Sequence, residues 1–156
     1  INRTDVVSTA EMFNTVRDIF PSTDGAILAS AVSDYKPVEM HESKVKSSKD
    51  SFTLALEPTI DIAYELGKNK GDQLLAGFAL ETTNEIQSAK RKIQNKNFDF
   101  IVLNSLNDEG AGFQHDTNKV KIIDKENNIL DFELKSKDEV AKDIVDKIIQ
   151  YNHDDS

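Results

Sequence analysis

Three features of this sequence predict an α/β fold: an open, doubly wound, Rossmann-like arrangement around a mostly parallel sheet. First, short continuous apolar runs recur at Gly25-Ala26-Ile27-Leu28-Ala29, at Leu74-Leu75-Ala76-Gly77-Phe78 and over residues 98–103, the pattern of strands buried on both faces. Second, the stretches between them carry apolar residues at helical spacing, and this alternation places helices against a parallel sheet. Third, 156 residues are the length of one ordinary domain with its own core.

The chain opens at Ile1 with neither methionine nor signal peptide, and Val6 and Val7 read as the end of a strand, so a start in mid-domain is expected. Ser8 and Glu11 form an S-x-x-E capping box ahead of Met12, Val16 and Ile19 or Phe20, and Pro21 closes the segment; this predicts a helix over residues 9–20. The strand at 25–29 runs into a polar loop, residues 30–37. Residues 38–57 are polar and alternating, with Lys44-Val45-Lys46 and residues 51–56 as strands of a projecting β-arm. Pro58 suits the first turn of a helix running through Ile62, Ala63 and Leu66 to a cap at Gly67. Thr82 and Glu85 make a second capping box for a helix with Ile86, Ala89 and Ile93 turned inward. Residues 119–124 and 129–134 read as strands separated by the Glu126-Asn127-Asn128 turn. Ser136 and Glu139 then cap a last helix through Val140, Ile144 and Ile148.

Composition narrows the chemistry. There is no cysteine, which excludes disulfides, a thiolate nucleophile and Cys-ligated zinc and fits a reducing cytoplasm. His41, His115 and His153 have no ligand-like spacing, which argues against a transition-metal site. No run approaches the roughly 20 apolar residues needed to span a bilayer. Nineteen basic against twenty-eight acidic side chains give a formal charge of −9, so nucleic acid is not an expected partner. A small anionic ligand still fits if a few lysines converge and a divalent cation offsets the remaining charge.

In open α/β sheets ligands sit beyond the carboxyl ends of the strands, which singles out the loops at residues 30–37, at 78–82 and from Asn104 onward. Asp34 fits two roles there: ordering the turn, or accepting two ribose hydroxyls on one carboxylate. Lys44 and Lys46 lie on one side of an extended segment and serve equally as solubilising edge charges. Lys92 and Lys96 are four apart on one helical face; they are either a solvated pair or two charges awaiting an anion. Phe78, at a strand end, suits both core packing and stacking on a base. The polar loop from Gly112 to Asn118 reads as a strand connection. G-x-x-x-x-G-K-S/T, G-x-G-x-x-G and G-x-S-x-G are all absent from the chain, which excludes a P-loop, a dinucleotide fingerprint and a nucleophile elbow within it.

Taken together and in order, these segments resemble one family. Residues 30–37 are similar to an A-A-V-S/A-D-Y/W-x-P segment, and Lys44-x-Lys46 falls at a K-x-K-K signature in which Ser47 replaces the last lysine. Thr59-Ile60-Asp61-Ile62 resembles an N/T-P-D-I helix start, and residues 77–82 resemble G-F-A-x-E-T. The stretch from Ala89 through Lys92, Lys96 and Asp99 to Asn104 resembles A-x-x-K-L-x-x-K-x-x-D-x-I-x-x-N. These five motifs belong to the synthetase domain of the bacterial phosphopantothenoylcysteine synthetases, the CTP-dependent phosphopantothenate–cysteine ligases of coenzyme A synthesis, often fused to a phosphopantothenoylcysteine decarboxylase.

The resemblance implies that residues 1–156 are the C-terminal part of one synthetase domain, with a glycine-rich segment expected ahead of Ile1. It implies a cytoplasmic homodimer joined through the arm at 38–57, with CTP, 4′-phosphopantothenate and cysteine as substrates and Mg²⁺ or Mn²⁺ as cofactor. FMN is implied only for a fused decarboxylase domain outside this chain. The residues it marks are Lys44 as the active-site lysine, with Ala29, Ser30, Asp34, Thr59, Ile60, Asp61, Ile62, Phe78, Lys92 and Lys96 holding the nucleotide. A non-catalytic nucleotide- or phosphate-binding α/β module is the alternative.

Overall fold

The computed structural model describes residues 1–39, 53–81, 83–105 and 116–154. Five strands form its main sheet: β1 (Gly25–Leu28), β4 (Leu74–Glu81), β5 (Phe100–Ser105), β7 (Val120–Asp124) and β8 (Ile129–Asp131), hydrogen-bonded in that order. The first three are parallel, and β7 and β8 continue the sheet antiparallel. Two short ribbons stand apart, β2 (Tyr35–Pro37) with β3 (Leu56–Pro58) and β6 (Thr117–Asn118) with β9 (Lys135–Ser136). The α/β class and the predominantly parallel centre are as the alternation of elements predicts.

Side-chain alternation splits the strands between two cores. Leu75, Ala79, Ile101, Leu103 and Ile123 face helices α1 (Thr9–Ile19), α2 (Ile62–Asn69) and α3 (Glu85–Lys96), which add Met12, Val16, Ile62, Leu66, Ala89 and Ile93. Leu74, Ala76, Phe100, Val102, Val120 and Ile122 face α4 (Lys137–Asp154), which adds Val140 and Ile144. Both faces are thus covered, and β4, β5 and β7 hold the largest fully buried side chains.

Several local expectations are corrected. Val6 and Val7 are not in a strand; Val7 is 96% exposed, and its N–H donates to the same Glu11 carboxylate that forms the α1 capping box with Ser8. β1 is half-buried rather than buried on both faces, because it borders the described sheet and leaves Ile27 45% exposed. Pro58 closes the β2–β3 ribbon instead of opening a helix, and α2 starts four residues later, where the Asp61 carboxylate accepts from the Tyr64 N–H. β4 runs on to Glu81, so residues 78–81 are strand and not loop. α3 is preceded by Asn84 in the left-handed conformation, and Thr82 lies outside the described residues. Of the proposed arm, residues 40–52 also lie outside them; Thr53 to Ala55 are not strand, and β3 begins at Leu56. The Ser136–Glu139 cap of α4 and the turn at Asn127 are present as read.

Gly67 is inside α2, not at its end, and its role is spacing. A Cβ there would lie 1.8 Å from the Lys96 carbonyl oxygen, so the missing side chain lets α2 and α3 touch, and the Asn97 amide seals the contact by donating to the Gly67 carbonyl. Gly77 does the same for the Phe98 ring, 2.6 Å from an added Cβ.

The amino ends of the central strands are tied by Asp99, only 3% exposed. Its carboxylate accepts from Lys70 at 2.5 Å, the Leu75 N–H at 2.8 Å and the Tyr151 hydroxyl at 2.7 Å, with Lys125 at 3.4 Å. Burial alone would raise its pKa; the Lys70, Leu75 and Tyr151 hydrogen bonds outweigh that and hold it below the ordinary 3.8. Asp124 is likewise lowered, burial being outweighed by Asn128 and Lys147.

Two predictions follow from this packing. Gly67→Ala gains about 1 kcal/mol of helix propensity, but a backbone carbonyl cannot step aside as a side chain can, and overpacking costs about 1–3 kcal/mol or more; urea denaturation should show net destabilisation. Because the folded pKa values of Asp99 and Asp124 are depressed, their contribution is complete above the unfolded carboxylate value and is lost as pH falls through the folded values. Urea midpoints should therefore be level above about pH 5 and fall below about pH 4, and Asp99→Asn should flatten that fall while destabilising the protein at neutral pH.

Candidate functional site: a lysine-walled cleft at the strand ends

β1 and β4 run side by side, Leu28 opposite Gly77, and their carboxyl ends open into a cleft of about 350 Å³. Its floor is the end of β1, continuing through Ala29 and Ser30, together with Gly77 and Phe78 of β4 and the Phe98 ring that the bare Gly77 admits. One wall is the loop carrying Val32, Ser33 and Asp34. The other is the start of α2, Thr59 to Ala63, and the cleft face of α3 with Lys92 and Lys96. Met12 and Val16 of α1 close the apolar side.

The rim is held by short bonds. The Thr59 N–H donates to the Asp34 carbonyl at 2.9 Å, and the Thr59 hydroxyl donates to the Ser33 carbonyl. This leaves Asp34 with its backbone fixed and its side chain exposed, the arrangement needed to present a carboxylate to a ligand. Phe78 is 41% exposed, which a purely core phenylalanine would not be.

The two lysines project from one face of α3, as i, i+4 spacing dictates, but each meets a carboxylate. Lys92 pairs with Glu81 at 2.7 Å and Lys96 with Asp61 at 3.0 Å. Asp61 thus serves both as N-cap of α2 and as counter-ion to Lys96. Phosphate binding at this wall has to compete with Glu81 and Asp61 for the ammonium groups. No group of three or more His, Asp or Glu side chains able to hold a metal occurs among the described residues.

Ten of the eleven residues marked from the sequence line this one cleft: Ala29, Ser30, Asp34, Thr59, Ile60, Asp61, Ile62, Phe78, Lys92 and Lys96. The eleventh, Lys44, lies outside the described residues. Sequence reasoning passed over Glu81, although it stands in the same motif as Phe78; an acidic side chain at a strand end, opposite a lysine-bearing helix, was the available signal. It also assigned Met12 and Val16 to the core alone, where their helical periodicity pointed.

The profile of the DNA/pantothenate metabolism flavoprotein C-terminal domain matches residues 1–151. The chain belongs to that family. Among its relatives, a cysteine/cysteine sulfinic acid decarboxylase from an unknown prokaryotic organism is 53% identical over 98% of this chain and 43% of its own length. The coenzyme A biosynthesis bifunctional protein CoaBC of Bacillus subtilis (strain 168) is 37% identical over 92% of this chain and 35% of its own. The crystal structure of the C-terminal domain of a CoaBC protein superposes with a TM-score of 0.78 at 33% identity, covering 97% of this chain and 68% of that one. The chain therefore spans about two fifths of the length of these curated relatives. No helix among the described residues is long and apolar enough to cross a membrane.

Both lysine pairs are part-exposed, and such pairs contribute up to about 1 kcal/mol. Lys92→Ala and Lys96→Ala should each leave the unfolding free energy within about 1 kcal/mol of the parent in urea titrations. A larger loss would make the pair a structural element of α3.

Proposed function

We propose that the cleft holds CTP, and that this chain is the nucleotide-gripping part of a phosphopantothenate–cysteine ligase of coenzyme A biosynthesis. The observation that carries the reading is the convergence of ten motif residues, drawn from four separate stretches of sequence, on one cleft at the strand ends. The CoaBC relatives support the same pathway.

In this reading Asp34 accepts the ribose hydroxyls, Phe78 packs beside the nucleotide, and Lys92 and Lys96 hold the β- and γ-phosphates. The carboxylate of 4′-phosphopantothenate attacks the α-phosphate; the bond to pyrophosphate breaks and an acyl cytidylate forms. The amine of cysteine then attacks the acyl carbon, CMP leaves and the amine loses a proton. Two anions approach each other in the first step, so preorganised ammonium groups in a partly desolvated cleft lower its barrier. Lys44 is assigned there as the cation over the reacting groups. Mg²⁺ or Mn²⁺ supplies further screening of the phosphates. Among the described residues no carboxylate cluster would hold the metal by itself, so the triphosphate would have to supply most of its ligands. A cytoplasmic homodimer joined through residues 38–57 completes the proposal, and FMN belongs to a fused decarboxylase domain.

A second reading, a nucleotide- or phosphate-binding module without ligase turnover, draws on the 53% identity to a protein named for decarboxylation. Turnover separates the two.

Calorimetry should show magnesium–CTP binding this chain more tightly than magnesium–ATP, because a pocket with fixed hydrogen-bonding groups discriminates exocyclic substituents; equal or tighter ATP binding removes the assignment. Lys92→Ala and Lys96→Ala should each weaken CTP binding by about 1–3 kcal/mol, and CMP binding by less. In the full-length protein that contains this chain, Lys44→Gln should lower CTP-dependent pyrophosphate release at least about a hundredfold without lowering the melting temperature. CTP binding with no pyrophosphate release from the parent would select the module.

A further inference from the structure

The cleft's two lysines are unusual for an anion site in being already matched, charge for charge. Lys92 is 2.7 Å from Glu81 and Lys96 is 3.0 Å from Asp61, and Asp34 adds a third carboxylate across the cleft. Among the described residues that line the cleft or pair with its lysines, two ammonium groups face three carboxylates, so neither Lys92 nor Lys96 offers an uncompensated charge. A bare triphosphate that takes the lysines either shares them with Glu81 and Asp61 or draws them away, and in both cases it faces those carboxylates as like charges. Glu81 is the less exposed of the two, its side chain 18% accessible at the carboxyl end of β4, so water screens it less.

From this we infer that Glu81, with Asp61, makes the phosphate grip dependent on a divalent cation: the carboxylates reject a metal-free triphosphate and tolerate one whose charge a metal has reduced. Glu81 is a specificity-determining residue that acts through Lys92. The inference rests on the nucleotide reading of the cleft and deepens it. Without the carboxylates the lysines would bind any polyphosphate, metal-loaded or not; with them, the site distinguishes the two states of the same ligand by net charge.

The test is calorimetry on the 156-residue chain with CTP, and separately with inorganic triphosphate, each in EDTA and in magnesium chloride. The parent should bind both ligands far more tightly with magnesium. Glu81→Gln keeps the side-chain shape and removes the charge; it should tighten metal-free binding by about five- to tenfold, and the magnesium enhancement should shrink by the same factor. Asp61→Asn should act in the same direction, since asparagine still caps α2.

Unchanged metal-free affinity in Glu81→Gln overturns the inference. So does a loss matching that of Lys92→Ala, which would make Glu81 only a support for the lysine. If Glu81→Gln does not fold, as judged by circular dichroism, Asp61→Asn decides alone. A parent that binds magnesium triphosphate with the expected variant behaviour but no CTP would sink the nucleotide reading and leave the charge filter standing. A parent that binds neither ligand removes both.

Discussion

The Asp99 carboxylate is the point on which the sheet's amino end is assembled. It faces the Leu75 N–H at the start of β4, Lys70 just beyond α2, Lys125 after β7 and Tyr151 near the end of α4. Its own N–H donates to the Leu75 carbonyl and its carbonyl accepts from the Lys125 N–H. A carboxylate this deeply buried persists only because it is ionised and fully bonded, and a buried pair that loses one member leaves the other uncompensated. Lys70 is that other member, its side chain only 8% exposed. The polar knot therefore contributes register as well as stability, since sliding β4 against β5 would take the Leu75 N–H away from Asp99.

From that fixed end the strands carry order to the other. The parallel registers place Leu28 beside Gly77 and Glu81 beside Ser105, so the cleft forms at a definite height on the sheet. Two absent side chains then set its width: Gly77 admits the tip of the Phe98 ring at the floor, and Gly67 lets α3 come close enough for Lys96 to reach Asp61. The chemistry at the strand ends is thus positioned by groups with no chemistry of their own.

Much of this was readable before any coordinates. The apolar runs that became β1, β4 and β5 are local signals, as are the Ser8–Glu11 and Ser136–Glu139 caps, because a continuous apolar run and reciprocal capping are each written within a few residues. The cleft residues were legible for another reason: motif order grouped Asp34, Asp61, Phe78 and Lys92, and the fold brings them to one cleft. What stayed hidden depends on distant partners. Pro58 looked like a helix start because nothing nearby revealed that it pairs with Tyr35. Gly67 looked like a cap because its neighbour, the Lys96 carbonyl, is 29 residues away in sequence. The edge position of β1 and the pairing of Lys92 with Glu81 likewise follow from tertiary placement, which no window of sequence contains.

Lys96 grips α2 at two points. Its carbonyl packs on Gly67 in the second half of the helix, while its ammonium reaches the Asp61 cap at the first. With Asn97 bonded to the Gly67 carbonyl, α2 and α3 are joined at both ends of their contact, and the Thr59 N–H ties the Asp34 rim to the start of α2. Over these described elements a ligand has little chain to order, which removes an entropic penalty from binding. What an entering anion meets on this wall is a pair of existing ion pairs, Lys92–Glu81 and Lys96–Asp61, and added salt weakens those pairs and the anion's own attraction together.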